Sequence, residues 1–251
     1  MPTESDMINI LILAANDVHD DRDSGYPLGL SEIDGKTLLQ HLTEQCGAID
    51  DAQLTLAVSE RDCKRWHLDN VMRLLSPSAH VVQIRRTTSG AACTALLAIS
   101  DFASEDPLLI VNGNELIDVD FNAVVSRFWQ ADFDAGVVVF PSVHPRYSYV
   151  RLDQDQMVVE CAEKNPISNH ATVGFYWFRR GRDFVESAQQ SISKHAHVDG
   201  QYYICPTLNE MVLRQARIGA HHIASQQFHP LKSERQFEKF DASRSGAREP
   251  A

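Results

Sequence analysis

This chain of 251 residues is short of several things, and each shortage removes a class of function. Positive charge is the first: 23 Lys and Arg stand against 34 Asp and Glu, a formal net charge of −11. A general nucleic-acid surface needs clustered Lys and Arg, so it is excluded, and any phosphate contact must be local. Paired cysteines are the second. Cys46, Cys63, Cys93, Cys161 and Cys205 lie far apart with no CxxC, which argues against a zinc knuckle or disulfide framework and for reduced, buried thiols. Histidines close enough to share a metal are the third. His195-x-His197 and His221-His222 lack the i, i+4 spacing that places two imidazoles on one helical face. Long apolar runs are the fourth: none approaches the roughly 18 residues of a membrane span. The start, MPTESDMIN, has no charged-then-apolar export pattern, so a soluble, cytoplasmic protein is expected, with no membrane insertion.

What is present alternates. Ile8 to Ala15 (INILILAA) reads as a buried strand, Thr37 to Cys46 as a helix with Leu38, Leu39 and Leu42 on one face, and Gln53 to Val58 as a second strand. Glu60 to Leu75 reads as one amphipathic helix with Trp66, Val71 and Leu74 inward. A short strand, His80 to Ile84, leads through Thr87-Thr88-Ser89-Gly90 to an alanine-rich helix, Ala91 to Ile99, and then to the strand Leu108 to Val111. Strands joined by crossover helices imply an α/β fold with a mainly parallel sheet covered on both faces. Farther on come a buried strand at Gly136 to Phe140, a hairpin of Tyr149 to Leu152 and Met157 to Ala162, and a strand at Thr172 to Phe178. Helices are expected at Arg182 to Lys194 and Pro206 to Gln215, the latter with proline at its first position. A strand at Ile218 to Ala224 and a short helix around Glu234 to Phe240 complete the pattern. One domain, residues 1–240, is expected, with a polar, disordered tail over 241–251.

In such a sheet, sites form at the carboxyl ends of the strands. Four segments reach that position. The loop Asn16 to Gly25 (NDVHDDRDSG) follows the first strand where phosphates are usually held, yet it lacks the glycines of a phosphate cradle and carries Asp17, Asp20, Asp21 and Asp23. Those carboxylates read as a solvated acidic loop or as metal collectors, and Arg22 is the loop's only cation. Ser89-Gly90-Ala91-Ala92 offers small side chains and free N–H groups at a helix start, or simply a packing helix. In Asn112-Gly113-Asn114-Glu115, amide and carboxylate oxygens suit Mg²⁺ shared with substrate phosphates; a ligand-free turn is the alternative. Glu163-Lys164 ends the hairpin in an acid–base pair able to meet a sugar hydroxyl and a phosphate, or to stand as an exposed ion pair.

With these segments together, the chain resembles the sugar-phosphate nucleotidyltransferases of the nucleotide-diphospho-sugar transferase fold, especially small bacterial members linked to capsule and surface-polysaccharide clusters. The resemblance runs from Ile8 to Phe240. It rests on LILAAN (Leu11 to Asn16), GYPLGLSEIDGKTLLQH (Gly25 to His41), TTSGAACTALLA (Thr87 to Ala98), LLIVNGNELIDVD (Leu108 to Asp120), Ser148 to Gly181, and YYICPTLNE (Tyr202 to Glu210). It implies a three-layer α/β/α Rossmann-like fold. Ala14, Ala15 and Asn16 would border the nucleotide, Gly90 and Ala91 would face the base, and Asn112 and Gly113 would lie beside ribose and phosphates. Glu163 and Lys164 match the family's glutamate-lysine motif at the sugar phosphate, and Gly174 its strand glycine near the sugar.

The departures fall on the chemistry. The family's glycine-rich loop is replaced by Asn16 to Arg22, the lysine of its proline-lysine pair is Leu28 after Pro27, and its metal aspartate after Asn112-Gly113 is Asn114. The reading that follows is transfer of a nucleotidyl group from an NTP to a phosphorylated small-molecule acceptor, with Lys164 and Glu163 at the acceptor, Arg22 at pyrophosphate, and Mg²⁺ held by Asn114 and Glu115. A catalytically silent nucleotide or sugar-nucleotide binder is the first alternative, and a glycosyltransferase on the same fold the second.

Overall fold

The computed structural model describes residues 7–15, 27–99, 105–231, 236–237 and 240. In chain order these hold β1 (Ile8–Leu13), β2 (Glu32–Ile33), β3 (Lys36–Thr37), α1 (Leu38–Gly47), β4 (Ala52–Ser59), α2 (Glu60–Trp66), α3 (Leu68–Leu75), β5 (His80–Ile84), α4 (Ala91–Ala98), β6 (Leu108–Asn112), β7 (Glu115–Ile117), α5 (Phe121–Gln130), β8 (Ala135–Pro141), β9 (Ser148–Leu152), β10 (Val158–Glu163), β11 (His170–Phe178), α6 (Gly181–Ser193), α7 (Ile204–Leu213), β12 (Ile218–His222) and β13 (Phe228–Pro230).

Nine strands form one mixed sheet in the order β10-β9-β11-β6-β1-β4-β5, with β8 on the other edge of β11 and β12 beside β8. β5, β4, β1 and β6 run parallel, while β11 returns antiparallel to β6. The period-two geometry of β1, buried on both faces, explains why every residue but Asn9 is apolar. Ile8, Ile10 and Ile12 enter one core cluster with α1, α2, α3 and α5; Leu11 and Leu13 enter the other with α4, α6 and α7. Fully burying each such side chain contributes about 1.5–3 kcal/mol, so both faces must be covered by helices. The result is the expected three-layer α/β/α architecture.

The local signals mostly hold. Thr37 and Ser59 cap α1 and α2 with their hydroxyls, accepting from the amides of Gln40 at 3.1 Å and Asp62 at 3.0 Å. The β2–β3 hairpin turns on Asp34-Gly35, both at positive φ, as a two-residue turn requires.

Three expectations need correction. The helix expected over Glu60 to Leu75 is two helices, because His67 adopts a left-handed conformation (φ 55°) that ends α2 and re-aims α3. Met72 is therefore buried, and Leu74, expected inward, is 85% exposed. Pro206 is the third residue of α7, which starts at Ile204; the missing amide still falls among the four that a helix start leaves unbonded. The sequence reading also passed over α5, although its pattern is helical: Asp120 accepts from the Ala123 amide at 3.1 Å, and Phe121, Val124 and Phe128 share a buried face. The short strand β13, paired with β7, was likewise not foreseen. Of the final helix, Gln236, Phe237 and Phe240 are described as helical; the tail over 241–251 lies outside the described residues, as does Glu234.

Candidate active site

The carboxyl ends of β1 and β6 meet at one rim of the sheet. Leu13 is in register with Asn112, so Ala14 and Ala15 leave β1 beside Gly113. The Gly113 amide donates to the Leu13 carbonyl at 2.8 Å, extending the pairing one step past the strands, and the Ala14 amide donates to Ala57 at 2.8 Å. Ala14 packs toward the α1 side of the sheet and Ala15 toward the α4 side, so this edge offers backbone and methyl groups only. Asn16 and Arg22, with the four loop aspartates, lie outside the described residues.

Asn112 points across its neighbour strand. A Cβ on Gly174 of β11 would sit 2.2 Å from Asn112 Nδ2, so only glycine lets the amide lie there. The β11–β8 register slips between Thr172 and Tyr176, and the β11–β6 ladder begins only at Phe175. The Gly174 amide is thus left without a strand partner, and Glu115 Oε2 accepts it at 2.7 Å. Glu115 is buried at 4% exposure, so one carboxylate oxygen serves the fold. The Asn114 carbonyl accepts from the Leu231 amide at 2.9 Å, tying the turn to the segment after β13. No group of three or more His, Cys, Asp or Glu able to hold a metal occurs among the described residues. By themselves these residues do not fit a divalent-cation site: they offer the neutral amide of Asn114 and a carboxylate already bonded to a strand amide.

The start of α4 lies on the same rim. Gly90 caps it at φ 110°, a conformation other residues avoid, and a Cβ there would come within 2.4 Å of the Tyr202 carbonyl oxygen. Tyr202 is clasped from both sides: its amide donates to Ser89 at 2.7 Å and its carbonyl accepts from Ala92 at 3.0 Å. One of the helix-start amides is therefore occupied by protein. Ala15, Ala91 and Tyr202 all pack on the same core cluster, so this loop and the end of β1 lie on the same face of the sheet.

Glu163 and Lys164 arrive from the hairpin. Asn209 of α7 holds β10 by its side chain, accepting from the Cys161 amide and donating to the Cys161 carbonyl, both at 2.8 Å. The amide thereby mimics a strand partner two residues before Glu163. Glu163 is buried at 8% exposure and accepts a hydrogen bond from the Ser148 hydroxyl. Lys164 turns out of the strand at φ 54°, its amide donating to Tyr147 at 3.0 Å. Its ammonium lies 5.3 Å from the centre of the Tyr203 ring and 3.7 Å from Asp199 Oδ2. The Tyr203 side chain, chiefly, raises the Lys164 pKa above its ordinary value, with Asp199 and Glu163 adding to it against desolvation. Below, burial drives the Tyr176 hydroxyl well up, and the neighbouring Cys161 together with burial does the same to the Cys205 thiol. Neither supplies an anion at neutral pH.

The structure thus brings Ala14, Ala15, Asn112, Gly113 and Gly174 together, places Gly90 and Ala91 beside Tyr202, and sets Glu163 beside Ser148 and Lys164 beside Tyr203. Sequence reasoning gave no individual role to Ser148, Asp199, Tyr202, Tyr203 or Asn209. The segment Tyr202 to Glu210 was conspicuous only as a whole, and nothing local distinguishes Ser148. Asp199-Gly200 carries a signal that can be read: both residues have positive φ in a tight turn closed by Val198 and Gln201.

Residues 32–218 match the sequence profile described as Nucleotidyl transferase. No curated protein sequence matches the chain significantly. Among solved structures, the nucleoside-diphosphate-sugar pyrophosphorylase from Vibrio cholerae RC9 superimposes with a TM-score of 0.79 at 20% identity, covering 94% of this chain and 100% of that one. A UDP-glucose pyrophosphorylase complexed with UDP-glucose gives a TM-score of 0.76 at 15% identity, covering 96% and 100%. At these identities the likeness is one of fold.

Proposed function

Because the chain belongs to the nucleotidyl transferase family, we propose that it transfers a nucleotidyl group from an NTP to a sugar 1-phosphate or related phosphate monoester, giving an NDP-sugar-type product and pyrophosphate. An acceptor phosphate oxygen attacks the α-phosphorus in line; the bond to the β-phosphate bridging oxygen breaks, and no covalent enzyme intermediate is needed. In such a displacement the protein contributes mainly positioning and charge neutralisation.

The observation that carries this reading is the junction at Tyr202–Tyr203, which joins the Gly90 loop on one side to Lys164 on the other. In the proposal, Ala14, Ala15 and Asn16 border the nucleotide, Gly90 and Ala91 leave space for its base, and Asn112 and Gly113 lie beside ribose and phosphates. Lys164 orients the acceptor phosphate, Glu163 receives a sugar hydroxyl near Gly174, and Arg22 steadies the leaving pyrophosphate. Members of this family commonly use a divalent metal, so Mg²⁺ arriving with the triphosphate belongs to the proposal; since Asn114 and Glu115 do not make a cation site by themselves, they would act as its ligands only together with the phosphates, and no step above depends on it. A cytoplasmic role in surface-polysaccharide assembly is part of the same reading.

Two positions favour a second reading, a nucleotide binder without turnover. Leu28 packs on the core where the resembled family has lysine, and Asn114 stands where it has aspartate. Pyrophosphate release, screened with the four common NTPs against a panel of sugar 1-phosphates in Mg²⁺ or Mn²⁺, decides between them. Release with one pair supports the transferase. NTP binding by calorimetry with no release across the panel supports the binder.

A further inference from the structure

Lys164 belongs to the short hairpin side of the rim and is half exposed, and a long, flexible ammonium there has no reason of its own to stay in one place. Its surroundings supply one. Tyr203 is the residue immediately before α7, and its neighbour Tyr202 is fixed to Ser89 and Ala92 by two backbone hydrogen bonds. One turn and a half farther along, Asn209 pins α7 to β10 at Cys161, just ahead of Lys164. The backbone that carries Tyr203 is therefore anchored on both sides: at the Gly90 loop through Tyr202, and at β10, which ends in Lys164, through Asn209. An ammonium 5.3 Å from a ring centre is drawn to its face, and the Asp199 carboxylate 3.7 Å away confines it further.

We propose that Tyr203 is the positioning residue for Lys164, transmitting the placement of the Gly90 loop to the ammonium that meets the acceptor phosphate. Asp199 is the counter-ion that occupies the ammonium until an acceptor phosphate displaces it. Tyr203 thus acts through Lys164 rather than on the reacting atoms, and this part rests on the function proposed above. The raised Lys164 pKa agrees with the geometry, since Tyr203 is its largest cause.

The test uses the full chain with Tyr203→Phe, which keeps the ring and loses the hydroxyl, and Tyr203→Leu, which loses both. The first readout is the NMR titration of the Lys164 side chain, identified by its loss in Lys164→Gln. Its proton affinity should fall in both variants, because each loses the Tyr203 hydroxyl that chiefly raises it. The second is kinetic: with any NTP and acceptor that the wild type uses, the acceptor KM should rise about tenfold in Tyr203→Leu, with Tyr203→Phe in between. NTP affinity by calorimetry should stay within about twofold. Superimposed Lys164 titrations overturn the proposal whether or not turnover exists. An equal loss of NTP affinity also overturns it, because that marks Tyr203 as a structural support of the Gly90 loop. If the wild type releases no pyrophosphate with any acceptor, the transferase reading fails, and the titration alone decides the role of Tyr203.

Discussion

Where β1, β6 and α4 converge, the rim presents little except backbone and methyl groups: Ala14, Ala15, Gly90, Ala91 and Gly113. Where the β9–β10 hairpin meets α7, it presents a buried carboxylate, an ammonium, a phenol ring and a second carboxylate. The first region obtains its shape from close approach, and a single added methyl group collides with main chain. The second obtains its shape from side-chain bonds that tolerate substitution but carry charge. Damage should therefore differ in kind: changes on the backbone side should cost stability along with binding, and changes on the charged side should cost chemistry with the fold intact.

The sharpest way to test that contrast is Lys164→Ala. If the charged side carries the acceptor, turnover should drop about 100-fold to 1,000-fold while the unfolding midpoint in urea stays near wild type. Unchanged turnover removes Lys164 from the mechanism. Next in size is Gly174→Ala. Its new Cβ meets Asn112, and a collision in a filled core costs about 1–3 kcal/mol, read as a lower urea midpoint at unchanged slope. Glu115→Ala should cost about 1–3 kcal/mol by leaving the buried Gly174 amide unbonded, whereas Glu115→Gln keeps an acceptor oxygen and should recover most of that stability. If Glu115→Gln is stable yet loses turnover, its carboxylate acts on substrate or metal as well as on the fold.

A smaller effect is expected of pH. The Lys164 pKa lies above its ordinary value of 10.5, so the folded state binds this proton more tightly than the unfolded chain does. The contribution is complete below pH 10.5 and disappears as pH rises through the raised folded value. Stability should not change between pH 7 and 9 on this account, and the difference between wild type and Tyr203→Phe should close at alkaline pH in denaturant titrations. Asp199→Asn is the smallest: an exposed pair is worth about 0–1 kcal/mol, so only a slight change in the unfolding midpoint is expected.

Much of the layer structure was legible because β1 is apolar at every position but Asn9 and the first half of the chain alternates strand and helix signals, which a buried parallel sheet demands. The hairpin was legible from its Asp153-Gln154-Asp155-Gln156 turn, and Glu163-Lys164 followed at its end. The break at His67 was not, since the apolar periodicity runs on through it and histidine, though enriched at positive φ, adopts it in only a minority of cases. Glu115 illustrates a deeper limit. Its carboxylate follows a strand in a polar turn and reads as a ligand, but the register slip in β11 that exposes the Gly174 amide arises 59 residues away in sequence.

Hydrophobic periodicity and helix caps are local, so the order of layers, the two-faced burial of β1 and the placement of four polar segments at strand ends were set by the residue order alone. Partners across the sheet are not local. That Tyr202 fills the space above Gly90, that Asn209 stands in for a strand beside Cys161, and that Lys164 rests on Tyr203 were decided by how α7 docks on β10 and α4, because hydrogen bonds and close contacts between distant segments exist only once the chain has closed on itself.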